Sequence, residues 1–174
     1  MMKFVPITKI SGAYVIEKQQ HSDERGVFER AFCIDQLTNA GLETNFPQCN
    51  LSMNPHKHTL RGLHFQEEPY SEVKIVTCVS GVVFDVLLDL RDRKNIVWQG
   101  FYLREGDGRS LYIPKGVAHG FLTLANDSTL MYFVSSRYNK DADRGVRWND
   151  PKCGIFWPNE PKVISEKDKN YPLL

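Results

Sequence analysis

Histidine is concentrated in one short stretch of this chain. Three of the five histidines lie between His56 and Gln66, in the sequence HKHTLRGLHFQ. Imidazole nitrogens bind transition metals and also accept protons near neutral pH, so this residue type supports either a metal centre or a proton-transfer site. A polar turn in a β-protein would explain the same residues without any chemistry.

A metal centre would require several ligands that converge on one ion. His64 is followed two residues later by Gln66, which is a poor ligand for a transition metal. His56 and His58 precede Arg61 in what the sequence predicts as a polar loop. We therefore expect no metal in the site, and we interpret His64 as a candidate base.

A proton-transfer site would need charged and phenolic partners from elsewhere in the chain. A neutral imidazole accepts a proton best when a carboxylate holds its other ring nitrogen. Lys74 and Arg61 would bring positive charge suited to an enolate oxygen or to phosphates, and Tyr132 could supply an acid. Each of these side chains could equally lie in the core or at the surface, so residue type alone leaves their roles open.

The elements that must position these residues are predicted to be strands. Residues 73–90, VKIVTCVSGVVFDVLLDL, predict two strands around a tight turn. Further short strands are predicted in AYVIEK, GVFERAF, CNLSM, GLHFQ, IVWQGFYL, SLYIP, HGFLTLA and TLMYFVSSRY. Helical patterns are confined to IDQLTNAG, which Asp35 could cap and Gly41 could end, and to the C-terminal ISEKDKNYPLL. This content predicts an all-β sandwich, jelly roll or barrel, formed as one domain over residues 1–174.

Composition narrows the class of partner. Lys and Arg number 22 against 21 Asp and Glu, and no block of one sign suggests nucleic acid. The four cysteines form no CxxC pair, which favours reduced thiols in a cytoplasmic protein. The start, MMKFVPITKI, lacks the apolar core of a signal peptide, and no run approaches the ~20 apolar residues of a membrane span. We expect neither a nucleic-acid nor a membrane partner.

One motif indicates the type of β-fold. Residues 108–124 read GRSLYIPKGVAHGFLTL, and a Gly followed after five residues by PxGxxH resembles the second signature of the cupin superfamily. Pro114 would end a strand, Gly116 would permit the tight turn, and the next strand would direct His119 into the barrel. The expected fold is a cupin-type jelly-roll β-barrel or sandwich with few short helices.

The whole chain then shows a more specific resemblance. The motifs occur in the order DERGVFERAF, QCNLS, LRGLHFQ, PYSEVKIV, GVVFDVLLDLR, YIPKGVAHGFL, DRGVRWNDP and SEKD. In order and spacing they resemble the dTDP-4-dehydrorhamnose 3,5-epimerase family. The resemblance implies a homodimeric cupin without metal or other cofactor that epimerises a nucleotide-linked 4-keto-6-deoxyhexose beside its ketone.

The resemblance also implies roles for particular residues. His64 matches the family's base, Asp168 the carboxylate that orients it, Tyr132 the acid on the opposite face of the sugar, and Lys74 the residue that steadies the C4 oxygen. Tyr138 matches the aromatic side chain that stacks on the nucleobase. The remaining positions implied to bind the nucleotide sugar are Arg25, Phe28, Arg30, Gln48, Asn50, Arg61, His119, Asp143 and Lys167.

One departure from the family pattern affects the choice of substrate. In RGVFER the carboxylate of Glu29 comes one residue early, and Arg30 occupies the position where the family has an acid. Replacement of an acid that holds the nucleotide by a cation can change the carrier that is accepted. We expect the nucleotide carrier to be dTDP, with CDP, GDP or UDP as alternatives. Inversion at C3 or at C5 alone is an alternative to inversion at both carbons. A metal-dependent cupin and a non-catalytic sugar-binding cupin are further alternatives.

Overall fold

The computed structural model describes residues 1–174 and is built almost entirely from strands. The helices are α1 (Ile34–Asn39) and α2 (Glu166–Lys169). The strands are β1 (Met2–Pro6), β2 (Tyr14–Lys18), β3 (Gln20–Asp23), β4 (Gly26–Glu29), β5 (Gln48–Asn54), β6 (Thr59–Gln66), β7 (Lys74–Ser80), β8 (Val82–Asp89), β9 (Val97–Arg104), β10 (Arg109–Ile113), β11 (Val117–Thr123), β12 (Ser128–Val134), β13 (Asp143–Gly145) and β14 (Val163–Ile164).

The strands form two large sheets and one hairpin. The first sheet has the order β1-β2-β10-β7-β12-β5, and the second has the order β13-β6-β11-β8-β9 with β14 paired to β6. The separate hairpin consists of β3 and β4. Neighbours in space are mostly distant in sequence, as in a jelly roll, so the predicted all-β cupin-type fold is confirmed.

The core lies between the two large sheets. Its largest cluster of buried side chains takes Val76, Leu111 and Leu130 from the first sheet and Val83 and Leu87 from the second. Each of these side chains is almost fully removed from water, and each such burial stabilises the fold by roughly 1.5–3 kcal/mol. Tyr132 on β12 packs against this cluster, so the apolar core supports the strand that carries the phenol.

Two glycines allow β6 and β11 to approach each other closely. A Cβ atom on Gly62 would lie 2.5 Å from the Cα of Gly120, and one on Gly120 would lie 2.8 Å from the carbonyl oxygen of Arg61. The backbone of Gly62 also has a φ of 123°, which side chains rarely permit. This contact brings His64 and His119 into direct register across the two strands.

The predicted turns are present. The segment 73–90 folds into β7 and β8, with Gly81 between them. In the PxGxxH motif, β10 ends at Ile113 and β11 begins at Val117. Gly116 between them has a φ of 77°, which is the left-handed conformation that the motif predicts.

The helices match the prediction in place but not in detail. The prediction that Asp35 caps α1 was wrong, because Cys33 occupies the N-cap and makes no side-chain cap hydrogen bond. Asp35 lies in the first turn, where its charge still favours the helix dipole. Gly41 follows the helix with a φ of 68°. No helix in the structure combines the length and apolar character needed to span a bilayer.

Candidate active site

A cavity of about 680 Å³ lies between the two large sheets. One wall comes from β5, β7 and β12 of the first sheet, and the other comes from β6 and β11 of the second. Ten residues singled out from the sequence line it: Gln48, Asn50, Arg61, His64, Lys74, His119, Tyr132, Tyr138, Asp143 and Lys167. The structure therefore brings most of the predicted site residues together in one place.

His64 and Asp168 form a dyad in the wall from the second sheet. The Nε2 atom of His64 lies 2.7 Å from Oδ1 of Asp168. Because an ionised carboxylate only accepts hydrogen bonds, the Nε2 atom carries the proton and Nδ1 is left as the basic nitrogen. The side chain of Asp168 is buried, whereas that of His64 is about one-third exposed to the cavity. This is the arrangement that a general base requires.

Asp168 is itself fixed from two sides. Its backbone N–H donates to the hydroxyl of Ser165 at the start of α2, and its second oxygen accepts a hydrogen bond from the N–H of Gly62 at 3.1 Å. Burial alone would raise the pKa of the Asp168 carboxyl. The hydrogen bond and charge of His64 outweigh burial, so that the pKa lies below its usual value. Asp168 is therefore a carboxylate at neutral pH.

Lys74 lies on the opposite sheet and reaches across to the strand that carries His64. Its Nζ atom donates to the backbone carbonyl of His64 at 3.0 Å and forms an ion pair of 2.9 Å with Glu72. Both Lys74 and Glu72 are buried and both line the cavity. A cation is thus held beside the base, in a place where water does not screen it.

Tyr132 projects from the first sheet, on the wall that faces His64. It pairs in register with Asn50 on β5 and Val76 on β7. Burial raises the pKa of the Tyr132 hydroxyl above its usual value, and the positive charge of Arg61 opposes this rise only in part. The phenol therefore keeps its proton at neutral pH and is available as an acid.

Two further cationic or polar groups are anchored by buried residues. The Nε2 atom of His119 lies 2.9 Å from Oδ2 of Asp85, a residue without exposed surface. The guanidinium of Arg61 donates from Nε to the side-chain oxygen of Asn54 at 2.7 Å. His119 and Arg61 consequently present their remaining nitrogens to the cavity that they line.

A group of residues at the exposed side of the cavity surrounds the ring of Tyr138. The Tyr138 hydroxyl donates to Asp143 at 3.0 Å, and its backbone N–H donates to Gln48 at 3.0 Å. Asp143 also pairs with Lys167. The hydrogen bond to Asp143 raises the pKa of the Tyr138 hydroxyl. The ring is fixed at both ends while 63% of the residue stays exposed.

Three of the predicted binding residues do not line this cavity. Arg25 and Phe28 lie on the β3–β4 hairpin, where Arg25 pairs with Asp23 and Phe28 is 71% exposed. The guanidinium of Arg30 approaches the sulfur of Cys33 at 3.8 Å. Within this chain these three residues lie outside the cavity, and their role in substrate binding stays a prediction.

Glu29, the acid in RGVFER, is occupied by contacts within the protein. Its carboxylate accepts a hydrogen bond from the buried Lys18 ammonium at 2.6 Å and a second from Gln20 at 2.9 Å. Lys18 belongs to β2 of the first sheet, whereas Gln20 begins β3 of the hairpin itself. Glu29 therefore ties the hairpin to the first sheet and has no free oxygen directed at a ligand.

His56 and His58, which begin the motif HKHTLRGLHFQ, and Gln66, which ends it, have different surroundings. His56 and His58 lie in the turn before β6 and do not line the cavity, as predicted. Gln66 accepts a hydrogen bond from the N–H of Asn139 at 2.7 Å and donates to the carbonyl of Arg137 at 3.3 Å. Gln66 therefore holds the segment that carries Tyr138. No three His, Cys, Asp or Glu side chains are grouped so that they could hold a metal ion.

Glu72, Asp85 and Asn54 were missed by sequence reasoning. Each has little exposed surface and contacts a cavity residue: Lys74, His119 and Arg61 respectively. A signal existed for two of them. Asp85 is a single acid within the apolar strand VVFDVLL, and Glu72 precedes Lys74 by two residues. An acid in an apolar, buried segment usually has a charged or hydrogen-bonding partner.

A jelly-roll sandwich whose cavity has an imidazole on one wall and a protonated phenol on the other contains the groups that a cupin-type isomerase would need for proton transfer. The family model described as dTDP-4-dehydrorhamnose 3,5-epimerase matches residues 7–174. The chain belongs to this family and is an enzyme of the isomerase class.

Individual relatives agree over nearly the full length. The chain is 40% identical over 172 residues to dTDP-4-dehydrorhamnose 3,5-epimerase of Methanothermobacter thermautotrophicus, covering 96% of this chain and 92% of that protein. The Bacillus anthracis str. Ames enzyme of the same name, crystallised with TDP and PPi bound, superposes with a TM-score of 0.94 at 36% identity and covers 100% of both chains. A Legionella pneumophila dTDP-6-deoxy-D-glucose-3,5-epimerase in complex with dTDP-4-keto-L-rhamnose has a TM-score of 0.91 at 32% identity, covering 99% and 93%.

Proposed function

We propose that the chain inverts C3 and C5 of a dTDP-linked 4-keto-6-deoxyhexose through enolate intermediates. The observation that carries this proposal is the placement of His64 and Tyr132 on facing walls of one cavity. Inversion at a carbon beside a ketone requires that a proton leave from one face of the sugar ring and return to the other. A base and an acid on the same wall would only exchange the proton.

His64 is the base in this proposal. The Nδ1 lone pair takes the proton from C3 or C5, and the electrons of the C–H bond form the enolate with negative charge on the C4 oxygen. The nearby carboxylate of Asp168 orients the ring and stabilises the imidazolium that results. Solvent then removes the proton from His64 before the next cycle.

Lys74 stabilises the enolate. A proton beside a ketone becomes acidic enough for an imidazole only if the developing oxyanion is balanced by a positioned donor or cation. The buried ammonium of Lys74, which is hydrogen-bonded to the carbonyl of His64, can supply that positive charge. Removal of such a donor in other enzymes costs ~10²–10³-fold in kcat.

Tyr132 returns the proton on the other face. The phenol O–H bond breaks as the new C–H bond forms, the enolate electrons supply that bond, and the phenolate recovers a proton from solvent. Since burial keeps the Tyr132 hydroxyl protonated at neutral pH, the acid is available in every cycle. Removal of one proton by His64 on one face of the ring and delivery of another by Tyr132 on the other face therefore change the configuration and leave the redox state unchanged.

The nucleotide is bound by the rest of the cavity. Arg61 and His119 present nitrogen donors suited to a diphosphate, and Gln48 and Asn50 supply amides from the facing wall. The exposed ring of Tyr138 offers a flat surface for a nucleobase. The dTDP carrier is supported by the relatives, one of which binds TDP and another of which binds dTDP-4-keto-L-rhamnose.

A homodimer is part of this proposal. Val27 and Phe28 on β4 of the β3–β4 hairpin are 61% and 71% exposed, and the hairpin belongs to neither large sheet. The family resemblance assigns Arg25, Phe28 and Arg30 to substrate binding, although they do not line the cavity of their own chain. A dimer in which the hairpin extends toward the neighbouring cavity satisfies both observations.

The function is tested by incubating the purified chain with dTDP-linked 4-keto-6-deoxyglucose and following the configuration at C3 and C5 by NMR. We expect conversion by the wild-type chain, and a loss of ~10²–10⁴-fold for His64→Ala. His56→Ala is the matched control, because His56 lies outside the cavity, and we expect it to keep full activity. Inversion of a CDP-, GDP- or UDP-linked sugar in preference to the dTDP-linked sugar would show that the carrier is a different nucleotide. If the chain inverts none of these sugars, the proposal is overturned.

A further inference from the structure

Glu72 is a buried acid that lines the cavity and has no role in the mechanism above. It lies between β6 and β7, two residues before Lys74, and is 7% exposed. Its Oε1 atom pairs with Nζ of Lys74 at 2.9 Å, and its Oε2 atom accepts the backbone N–H of Gln66 at 3.0 Å. Both carboxylate oxygens therefore bind groups that only donate.

The ammonium of Lys74 is held by two groups of the chain. One of its N–H groups donates to the carbonyl of His64 at 3.0 Å, and the ammonium forms the ion pair of 2.9 Å with Glu72. These two contacts fix the position of the nitrogen. Since Lys74 lines the cavity, its ammonium can also donate to a group bound there.

We propose that Glu72 is a positioning residue that holds the ammonium of Lys74 in place for the C4 oxygen of the sugar. This inference rests on the proposed role of Lys74 in the reaction. The carboxylate balances part of the ammonium charge, so the rate depends on where the ammonium lies as well as on its charge. A displacement of ~1 Å from the productive position costs about 10²-fold in rate.

Glu72 also fixes the cation relative to the base. Gln66, whose N–H it accepts, is two residues beyond His64 on β6, while Lys74 begins β7 on the opposite sheet. The single carboxylate thus connects the strand of the base with the strand of the cation. An amide at this position has only one acceptor oxygen, so its NH₂ group would face either Lys74 or the N–H of Gln66.

The inference predicts a particular kinetic defect for Glu72→Gln. We expect kcat to fall by ~10–100-fold, because the donor is misdirected where the enolate forms. KM should change by less than about threefold, since an interaction made mainly in the transition state affects kcat. Glu72→Asp keeps two acceptor oxygens on a side chain shorter by one methylene, and it should lower kcat in the same way. Glu67→Gln is the matched control, since Glu67 lies in the same connection and pairs with Arg144 at the surface.

A double-mutant cycle with Lys74→Met separates positioning from a general structural role. If Glu72 acts through Lys74, Glu72→Gln should change kcat by less than about twofold in the Lys74→Met background. Equal effects of Glu72→Gln in both backgrounds would overturn the inference, as would wild-type kcat in Glu72→Gln and Glu72→Asp. Wild-type kcat in Lys74→Met would instead overturn the proposed role of Lys74, and with it the positioning role. The two failures are therefore distinguishable.

Discussion

His64 and His119 are register partners on adjacent strands, yet each is held by a different carboxylate. Asp168 from the C-terminal helix binds His64 at 2.7 Å, and Asp85 from β8 binds His119 at 2.9 Å. Asp168 comes from the end of the chain, whereas Asp85 is buried in the sheet itself. The two imidazoles of one wall therefore have separate anchors, which allows separate functions.

The contribution of Asp168 to stability should depend on pH. The pKa of its carboxyl is lower in the folded protein than its usual value. A carboxyl whose pKa is lowered by folding contributes stability above its unfolded pKa and loses it as the pH falls through the folded pKa. We expect wild type to have a higher free energy of unfolding than Asp168→Asn at pH ~6, and the difference to shrink in acid as the pH falls through the folded pKa of Asp168. Urea unfolding of both proteins at a series of pH values measures it, and a difference that grew in acid would contradict the dyad.

Tyr138 should contribute to nucleotide binding through its ring and not through its hydroxyl. Stacking of an aromatic side chain on a base is worth about 1–3 kcal/mol, which corresponds to roughly 5- to 150-fold in affinity. Tyr138→Ala should weaken dTDP binding by that factor in calorimetry, whereas Tyr138→Phe should stay close to wild type. A loss of affinity in Tyr138→Phe as large as that in Tyr138→Ala would assign the contribution to the contact with Asp143.

The hairpin should be required for assembly. Phe28→Asp places a charge on the exposed strand β4 of the hairpin and should shift the protein from dimer to monomer in sedimentation velocity, because an ionised carboxylate cannot be buried without a partner. Phe156→Asp is the matched control, since Phe156 is equally exposed, at 73% against 71% for Phe28, and lies outside the hairpin. A Phe28→Asp protein with the mass and KM of wild type would show that the hairpin does not contact a partner.

Much of the fold and of the site was predictable from local sequence patterns. The apolar runs on either side of Gly81 indicated β7 and β8, and the PxGxxH motif indicated the turn that brings His119 into the cavity. These patterns work because strand periodicity and glycine turns are determined within a few residues. The family resemblance then pointed to Asp168, which lies 104 residues from its partner His64.

The remaining features depend on contacts that local patterns do not encode. Glu72 and Asp85 were not assigned to the site because their roles depend on which strands become neighbours in space. The position of Arg25 and Phe28 was not predictable either, because a two-stranded hairpin leaves open which sheet or which chain it will contact. Asp35 was expected to cap α1, but Cys33 lies at that position.

Tyr132→Phe should separate proton exchange from inversion. Removal and return of a proton by His64 on one face of the sugar needs no acid on the other face. We therefore expect Tyr132→Phe to incorporate solvent deuterium at C3 while the rate of inversion falls by ~10²–10⁴-fold, the range for loss of a general acid. If exchange and inversion fell by the same factor, Tyr132 would have a different role.

The most direct measurement is deuterium incorporation by the wild-type chain in heavy water. The purified protein is incubated with dTDP-linked 4-keto-6-deoxyglucose in D₂O, and the label is located position by position by NMR and mass spectrometry. If His64 removes each proton and Tyr132 delivers one that comes from solvent, the inverted sugar should carry one deuterium at C3 and one at C5. His64→Ala should incorporate no label on the same timescale. Inverted product that retains its original hydrogens, or unchanged sugar without deuterium at either carbon, would contradict the proposed mechanism.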